Sequence, residues 1–446
     1  MELKQGTNTS VWWTISHPGV AIRSRLGASR LKRLPIWPYL AILGPGLVAA
    51  NAGNDAGGIA TYAQAGSGFG YNFLWMMVVV TVSLILVQEM CARMGAITGK
   101  GLSELIREQF GPRWTVFAMI TLLIANGLTT MSEFAGIAAS LELVGVSRYV
   151  SVPLSALLIW WLVARGTYSR VERVFLLMTL AFFAYPISAI LAHPDWGEVA
   201  RETVIPTIQL NQVFMFQMIA TIGTTITPYM QIFVQSSVVD KGITANDYKY
   251  ERGEVIFGSI FSNVIAIFII ITTAATLYVN HITIVDASSA ALALEPLAGH
   301  YAFLLFGVGL LGASMLAAGV LPLATAFSIT EAFGWEKGLS FQPSEAPAFY
   351  YLFTSLIAIG ALVTLIPGLP LFQLLIVVQV VNCMLLPALL VFIVKLASTR
   401  SVMGSYRNSR TYNIFAWGTV IVIGSLASIY LVILVVGPLV GFGANS

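Results

Sequence analysis

Eleven apolar runs, each long enough to cross a hydrocarbon layer, restrict what this chain can fold into more than any other feature. They lie at roughly 37–66, 70–94, 113–139, 149–165, 172–192, 207–237, 253–279, 300–330, 348–366, 369–394 and 413–437. A bilayer core takes about 20 residues of helix, and a backbone without water must satisfy its own hydrogen bonds, so such runs become helices. Only 10% of the 446 residues are charged and 57% are hydrophobic, whereas soluble domains carry about 25% charge. The expected fold is therefore an all-α polytopic membrane protein built as one bundle, and a soluble enzyme is excluded. There is no phosphate loop, nucleotide fingerprint or nucleophile triad, so neither an enzyme activity nor a cofactor is expected. Cys91 and Cys383 both fall inside apolar runs, which suits buried packing and offers no disulfide framework.

Basic residues set the expected orientation. With the amino terminus inside, the inner side collects the six basic residues of the tail, then Arg93, Lys100, Arg107, Arg113, Arg165, Arg170, Arg173, Lys241, Lys249, Arg252, Lys337, Lys395, Arg400, Arg407 and Arg410. That is 21 of the 23 Lys and Arg, leaving Arg148 and Arg201 outside. A wrong number of spans would scramble this alternation. The net charge of +3 thus reflects position relative to a lipid bilayer, and no nucleic-acid partner is implied. The compact chain without a targeting signal suits a cell (inner) membrane, and a monomer is expected.

Two of the eleven segments are broken. The first carries a run of helix-poor residues from Asn51 to Gly58, and the sixth carries Gly223 to Pro228, ending in a proline that cannot donate to the helix ladder. One opens the first five segments and the other opens the next five. That spacing points to an inverted five-plus-five repeat, in which two discontinuous helices meet near the midplane and offer carbonyls and half-helix ends to an ion. Asp55 sits in the first break. A carboxylate near the bilayer centre costs a few kcal/mol or more, and the segment holds no Lys, Arg or His to pair with it, so a cation is the natural counter-charge. Asn51 and Asn54 flank it, the sixth segment adds the hydroxyls of Thr224, Thr225 and Thr227, and Gln379 and Asn382 add amides from the tenth.

These residues carry a family resemblance. Gly44-Pro45-Gly46, Asp55, Ala60-Thr61, Gln64-Ala65-Gly66, Phe69-Gly70-Tyr71 and Leu74-Trp75 resemble the first helix and second-helix entry of the NRAMP divalent-metal transporters. So do Arg93 to Lys100 with Leu102, Glu104 and Arg107, then Glu133 to Gly136, and Gly223, Pro228 and Ser236. The resemblance implies a LeuT-type fold with an inverted 5+5 repeat plus an eleventh helix, and metal transport. It divides the chain into a cytoplasmic tail (1–36), a first repeat (37–192), an outer loop (193–206), a second repeat (207–397) and an eleventh transmembrane helix (413–437). The expected metal ligands are Asp55, Ala52, Asn54, Thr224, Thr227 and Gln379, with Glu133 and Tyr229 as a relay or gate.

Departures from the family pattern sharpen the expectation. Where the family has Asp-Pro-Gly-Asn, this chain has Asp55-Ala56-Gly57-Gly58, and where it has Met-Pro-His, this chain has Thr227-Pro228-Tyr229. A thioether favours softer metals, while carboxylate, hydroxyl, carbonyl and water suit magnesium and manganese. A roomy, all-oxygen site suits Mg²⁺, which keeps several waters, and the pattern is similar to the NRAMP-related magnesium transporter branch. The family's proton relay uses acidic residues on the third helix and a histidine on the sixth. Here those positions read Thr130, Glu133 and Tyr229, and His17, His193, His281 and His300 all lie in the tail or outer loops. Uncoupled uptake is therefore expected. The alternatives are a proton-coupled Mn²⁺/Fe²⁺ transporter with a divergent site and a sodium-coupled organic-solute carrier, whose substrate carboxylate Asp55 would repel. A membrane enzyme or receptor would need intramembrane His or paired Asp, which are absent. Elsewhere, Glu89 faces a vestibule or pairs with Arg93 at helical spacing, and residues 240–254 form a solvated inner loop.

Overall fold

The computed structural model describes residues 55–164, 174, 177–209, 211–336, 338 and 342–440, the last six as backbone. Asn51, Ala52 and Asn54, the amino-terminal tail, and Arg165, Arg170, Arg173 and Lys337 lie outside the described residues. The bundle helices are α1 (Ala56–Phe69), α2 (Leu74–Thr98), α3 (Pro112–Glu142), α4 (Arg148–Ala164), α5 (Ala184–Leu191) and α6 (Gln212–Thr225). They continue with α7 (Pro228–Asp240), α8 (Tyr248–Thr273), α9 (Ala302–Phe333), α10 (Pro347–Thr364), α11 (Leu371–Ser398) and α12 (Arg410–Val440). Every one of the eleven apolar runs contributes a described helix, and the sixth contributes two.

The breaks have local causes. Asp55 adopts an extended backbone and its carboxylate accepts from the Gly58 N–H, so it caps α1, satisfying one of the donors a helix start leaves free. In the sixth segment α6 stops at Thr225, Ile226 and Thr227 leave helical geometry, and Pro228 opens α7. Proline fits that first helical position because its missing N–H has no helical acceptor there. A third interruption is a turn of 114° between Leu177–Leu191 and the short helix Trp196–Val204, whose first turn is capped by Asp195.

Lipid tails are as apolar as leucine, so the helices are held by close packing and interhelical hydrogen bonds. Small residues make that possible. A Cβ on Gly66 of α1 would come within 2.4 Å of the Ile270 carbonyl oxygen on α8, and one on Gly136 of α3 within 2.5 Å of the Ala56 Cβ. α3 packs along α9 and α11, α6 lies on α11, and α8 lies on α1 and α2. α12 is peripheral: 28% of its apolar window is buried, against 78% for the stretch 287–333. Its exposed Ile414, Phe415 and Ile421, with Leu154 and Leu157 of α4, form an apolar outer surface.

One end of the bundle gathers the basic residues. There Glu89 of α2 pairs with Arg93 at 3.2 Å and accepts from the hydroxyls of Tyr412 on α12, at 2.5 Å, and Tyr248 on α8. Arg93 donates on to Asn408 Oδ1 at 2.5 Å and the Tyr406 carbonyl at 2.8 Å. Glu89 therefore does pair with Arg93, inside a knot of three helices. Most of residues 240–254 are exposed, Asp240 and Asp247 among them, as expected of a solvated loop. Lys241, Glu251 and Glu254 depart from it, since Lys241 lies within 3.3 Å of Glu251 and 3.2 Å of Glu254 with all three side chains largely buried, α8 beginning at Tyr248 and carrying both carboxylates back to the end of α7. Burial alone would pull the Lys241 ammonium down, but the two carboxylates outweigh it and hold it above the ordinary lysine range. Cys91 and Cys383 are buried and unbonded.

Candidate metal site at the helix crossing

Asp55 is 3% exposed and sits where α1, α3, α6 and α11 converge. Its Oδ1 accepts from Gly58 N at 2.6 Å. A Cβ built on Gly58 would lie 3.2 Å from both Asp55 Oδ1 and Thr224 Oγ1, so the two oxygens border the same small space, which the glycine leaves open. From α3, Glu133 Oε2 accepts from Ala56 N at 3.4 Å, which brings the second carboxylate against the start of α1. From α11, the Gln379 amide fills the slot left by Gly57, whose Cβ would stand 1.8 Å from Gln379 Nε2.

The crossing is short of donors. Thr224 Oγ1, Thr227 Oγ1, Glu133 Oε1, Asn382 Oδ1 and Gln379 Nε2 are buried without a protein partner. Each unmet group costs about 1–3 kcal/mol, and four of the five are oxygens, which a cation or ordered water would satisfy. The donor set is hard: carboxylate, hydroxyl and amide, with no sulfur or imidazole among them.

Of the expected ligands, the structure brings Asp55 and Thr224 together, with Thr227 at the adjoining break, while Ala52 and Asn54 lie outside the described residues. Gln379 is present but turned over: its oxygen accepts from Asn382 Nδ2 at 3.1 Å and its nitrogen faces Gly57, so serving as a ligand requires the amide to rotate. Thr130 donates to the Asn126 carbonyl within α3 at 2.8 Å. Tyr229 is 4% exposed and packs with Met230 against Ala317 and Leu321 of α9. Thr225 is drawn aside by Tyr62, whose hydroxyl lies 2.9 Å from Thr225 Oγ1.

Sequence reasoning missed how the crossing is braced. Gln217 Nε2 of α6 donates to the Thr61 carbonyl of α1 at 2.8 Å, and Asn382 Nδ2 reaches Thr129 Oγ1 on α3 at 3.0 Å. Gly223 admits α11, since a Cβ there would lie 2.0 Å from the Gln379 carbonyl oxygen and 2.8 Å from Cys383 N. A cavity of about 50 Å³ is also lined by Lys241, Glu251 and Glu254 at one end and by Gln88, Tyr62 and Thr225 further in, Thr225 being the neighbour of Thr224 in sequence.

Comparison with known proteins agrees with this architecture. The Nramp family model, described as natural resistance-associated macrophage protein-like, matches residues 46–434. The divalent metal cation transporter MntH of Klebsiella pneumoniae is 29% identical over 411 residues, spanning 90% of this chain and 95% of the relative. The solved manganese transporter of Eremococcus coleocola, in complex with an aromatic bis-isothiourea substituted compound, superposes with a TM-score of 0.74 at 20% identity, covering 92% of this chain and 89% of that one. MhsT in complex with L-phenylalanine superposes with a TM-score of 0.57 at 14% identity, over 87% of this chain and 97% of that one. Together with the break between α6 and α7, these likenesses establish a LeuT-type all-helical membrane fold.

Proposed function

The chain belongs to the Nramp family, and from that premise we propose that it is a divalent metal cation transporter whose preferred cargo is partly hydrated Mg²⁺, with Mn²⁺ also accepted. The observation that carries this reading is the crossing itself: one capped, buried carboxylate beside Thr224 and Thr227 hydroxyls that lack partners, with no sulfur or imidazole donor. Soft ligands would select transition metals; hard oxygens and room for water suit Mg²⁺ and Mn²⁺. Asp55 supplies the charge, Thr224 and Thr227 supply hydroxyl oxygens, Gln379 supplies its carbonyl oxygen once turned, and Ala52 and Asn54, outside the described residues, are the remaining ligands of the proposed set. Alternating access then carries the ion across as the two repeats, 37–192 and 207–397, rock about the breaks, with the basic end and amino terminus in the cytoplasm.

Transport is uncoupled from protons in this reading. Among the described residues Glu133 is the one carboxylate on the relay side of the crossing, Thr130 is spent on a backbone carbonyl, and Tyr229 stands where the family has an imidazole. Glu133 instead braces the start of α1 through Ala56 N. An inside-negative potential suffices as the driving force, at about 2.3 kcal/mol per charge per 100 mV and so about twice that for a dication. The test is Mg²⁺ or Mn²⁺ influx into proteoliposomes loaded with a pH indicator. The reading predicts metal-dependent influx at constant lumenal pH; acidification that scales with metal dose overturns it in favour of proton coupling.

A further inference from the structure

Tyr62 borders both the metal site and the inner cavity. It stands one helical turn after Gly58 on α1, and helix side chains lean toward the amino terminus, so its ring lies back over the glycine. A Cβ at position 58 would meet Tyr62 Cε2 at 3.5 Å, beside the 3.2 Å contacts with Asp55 Oδ1 and Thr224 Oγ1. The same residue, with Thr225, lines the cavity whose other end holds Lys241, Glu251 and Glu254. One hydrogen bond fixes the ring there. Thr225 gives its hydroxyl hydrogen to the Thr221 carbonyl at 2.7 Å, since a carbonyl can only accept, so in the 2.9 Å contact between Tyr62 and Thr225 the tyrosine is the donor.

The cavity itself has a polar wall. Glu251, Glu254, Ser259, Ser262 and Asn263 all line it from α8, and Asn263 Nδ2 is buried without a protein partner, a donor that cavity water would satisfy. Ionisable and polar groups gathered inside a membrane bundle mark ion and water paths. We propose that this cavity is the inner leg of the cation's route and that the Tyr62 ring, latched to Thr225, is the gate between it and the metal site. Closed, the ring walls off the space beside Asp55 and Thr224; open, it gives up its hydrogen bond and a partly hydrated ion passes. This rests on the divalent-cation transport proposed above and not on the choice of Mg²⁺. A single neutral hydrogen bond suits a latch that must release in every cycle, because cavity water can take over the tyrosine hydrogen while Thr225 keeps its bond to Thr221.

The experiment uses the full chain in proteoliposomes, with Cys91 and Cys383 replaced by alanine, and a small membrane-impermeant cationic thiosulfonate applied at the basic end. Ser262→Cys reports on the cavity and Thr224→Cys on the space beyond the ring. Ser262→Cys should react at the same rate whatever residue stands at position 62. Thr224→Cys should react slowly behind Tyr62, about fivefold faster with Tyr62→Phe, which lacks only the latch, and about tenfold faster or more with Tyr62→Ala, which lacks the ring. Ile219→Cys, in the apolar core on α6, should stay unreactive in all three backgrounds, which separates gating from a general loosening of the bundle. An unchanged Thr224→Cys rate in both Tyr62 variants, an unreactive Ser262→Cys, or a parallel rise at Ile219→Cys overturns the gate. Absence of Mn²⁺ uptake by the wild-type chain instead overturns the transport reading on which it rests.

Discussion

Replacing Gly57 with alanine tests whether α1 and α11 meet as closely as the crossing requires. The new methyl would stand 1.8 Å from Gln379 Nε2, 2.9 Å from its Cδ and 3.3 Å from the Leu375 carbonyl oxygen. The Gln379 amide must therefore leave its slot, which breaks the 3.1 Å hydrogen bond from Asn382 Nδ2. Overpacking costs about 1–3 kcal/mol, and the broken hydrogen bond adds about 1 kcal/mol, so Gly57→Ala should destabilise by about 2–4 kcal/mol. Because the clashing atoms are the far end of one side chain, Gly57→Ala with Gln379→Ala should recover most of the loss. Gly223→Ala provides the contrast: its methyl would meet the Gln379 carbonyl oxygen at 2.0 Å and Cys383 N at 2.8 Å. Those are backbone atoms, which no side-chain truncation removes, so Gln379→Ala should not rescue it. Thermal unfolding in detergent of the single and double variants, analysed as two mutant cycles, gives the answer. Equal rescue of both glycine variants, or an unchanged melting temperature for Gly57→Ala, would refute the packing argument.

Two further outcomes follow from the geometry. Glu89→Ala leaves Arg93 buried with its charge unpaired, removes the carboxylate acceptor of Tyr248 and leaves Tyr412 only the Leu86 carbonyl; the expected loss is about 3–5 kcal/mol, seen as a lower melting temperature, whereas Glu89→Gln should lose less because it keeps an acceptor. Gly58→Asn with Thr227→Met places the family's amide and thioether at the crossing, where the Cβ at position 58 would stand 3.2 Å from Asp55 Oδ1 and Thr224 Oγ1, so both side chains must give by a few tenths of an ångström. The ratio of Mn²⁺ to Mg²⁺ uptake should rise about tenfold, equivalent to about 1.4 kcal/mol of altered preference; an unchanged ratio in competition uptake argues against donor softness as the selector.

The membrane spans, the α6–α7 break and the buried Asp55 at the start of α1 were legible because each depends on local chemistry. Apolar runs of the right length become helices in lipid, Pro228 after a run of glycine and threonines breaks its segment although Pro153, Pro322 and Pro387 sit inside α4, α9 and α11, and a lone carboxylate in such a run demands compensation. The basic-end knot was only half legible. The Glu89–Arg93 pair follows from helical spacing, but Tyr412 is 323 residues from Glu89 and nothing local announces their meeting. Lys241, Glu251 and Glu254 read as a solvated loop because their charges are obvious in sequence and the fold that buries them is not. The glycines were visible, yet their purpose was hidden: Gly57 and Gly223 matter through α11, whose register is a tertiary fact.

The central claim is that a divalent cation crosses through the space beside Asp55. Uptake of Mg²⁺, Mn²⁺ and Ca²⁺ into proteoliposomes, with wild type beside Asp55→Ala at matched incorporation, tests it most directly. The account predicts that wild type takes up Mg²⁺ and Mn²⁺ and that Asp55→Ala, which keeps the neighbouring hydroxyls but lacks the charge that offsets the ion, is reduced to the protein-free background. Mg²⁺ uptake by Asp55→Ala at the wild-type rate would contradict it.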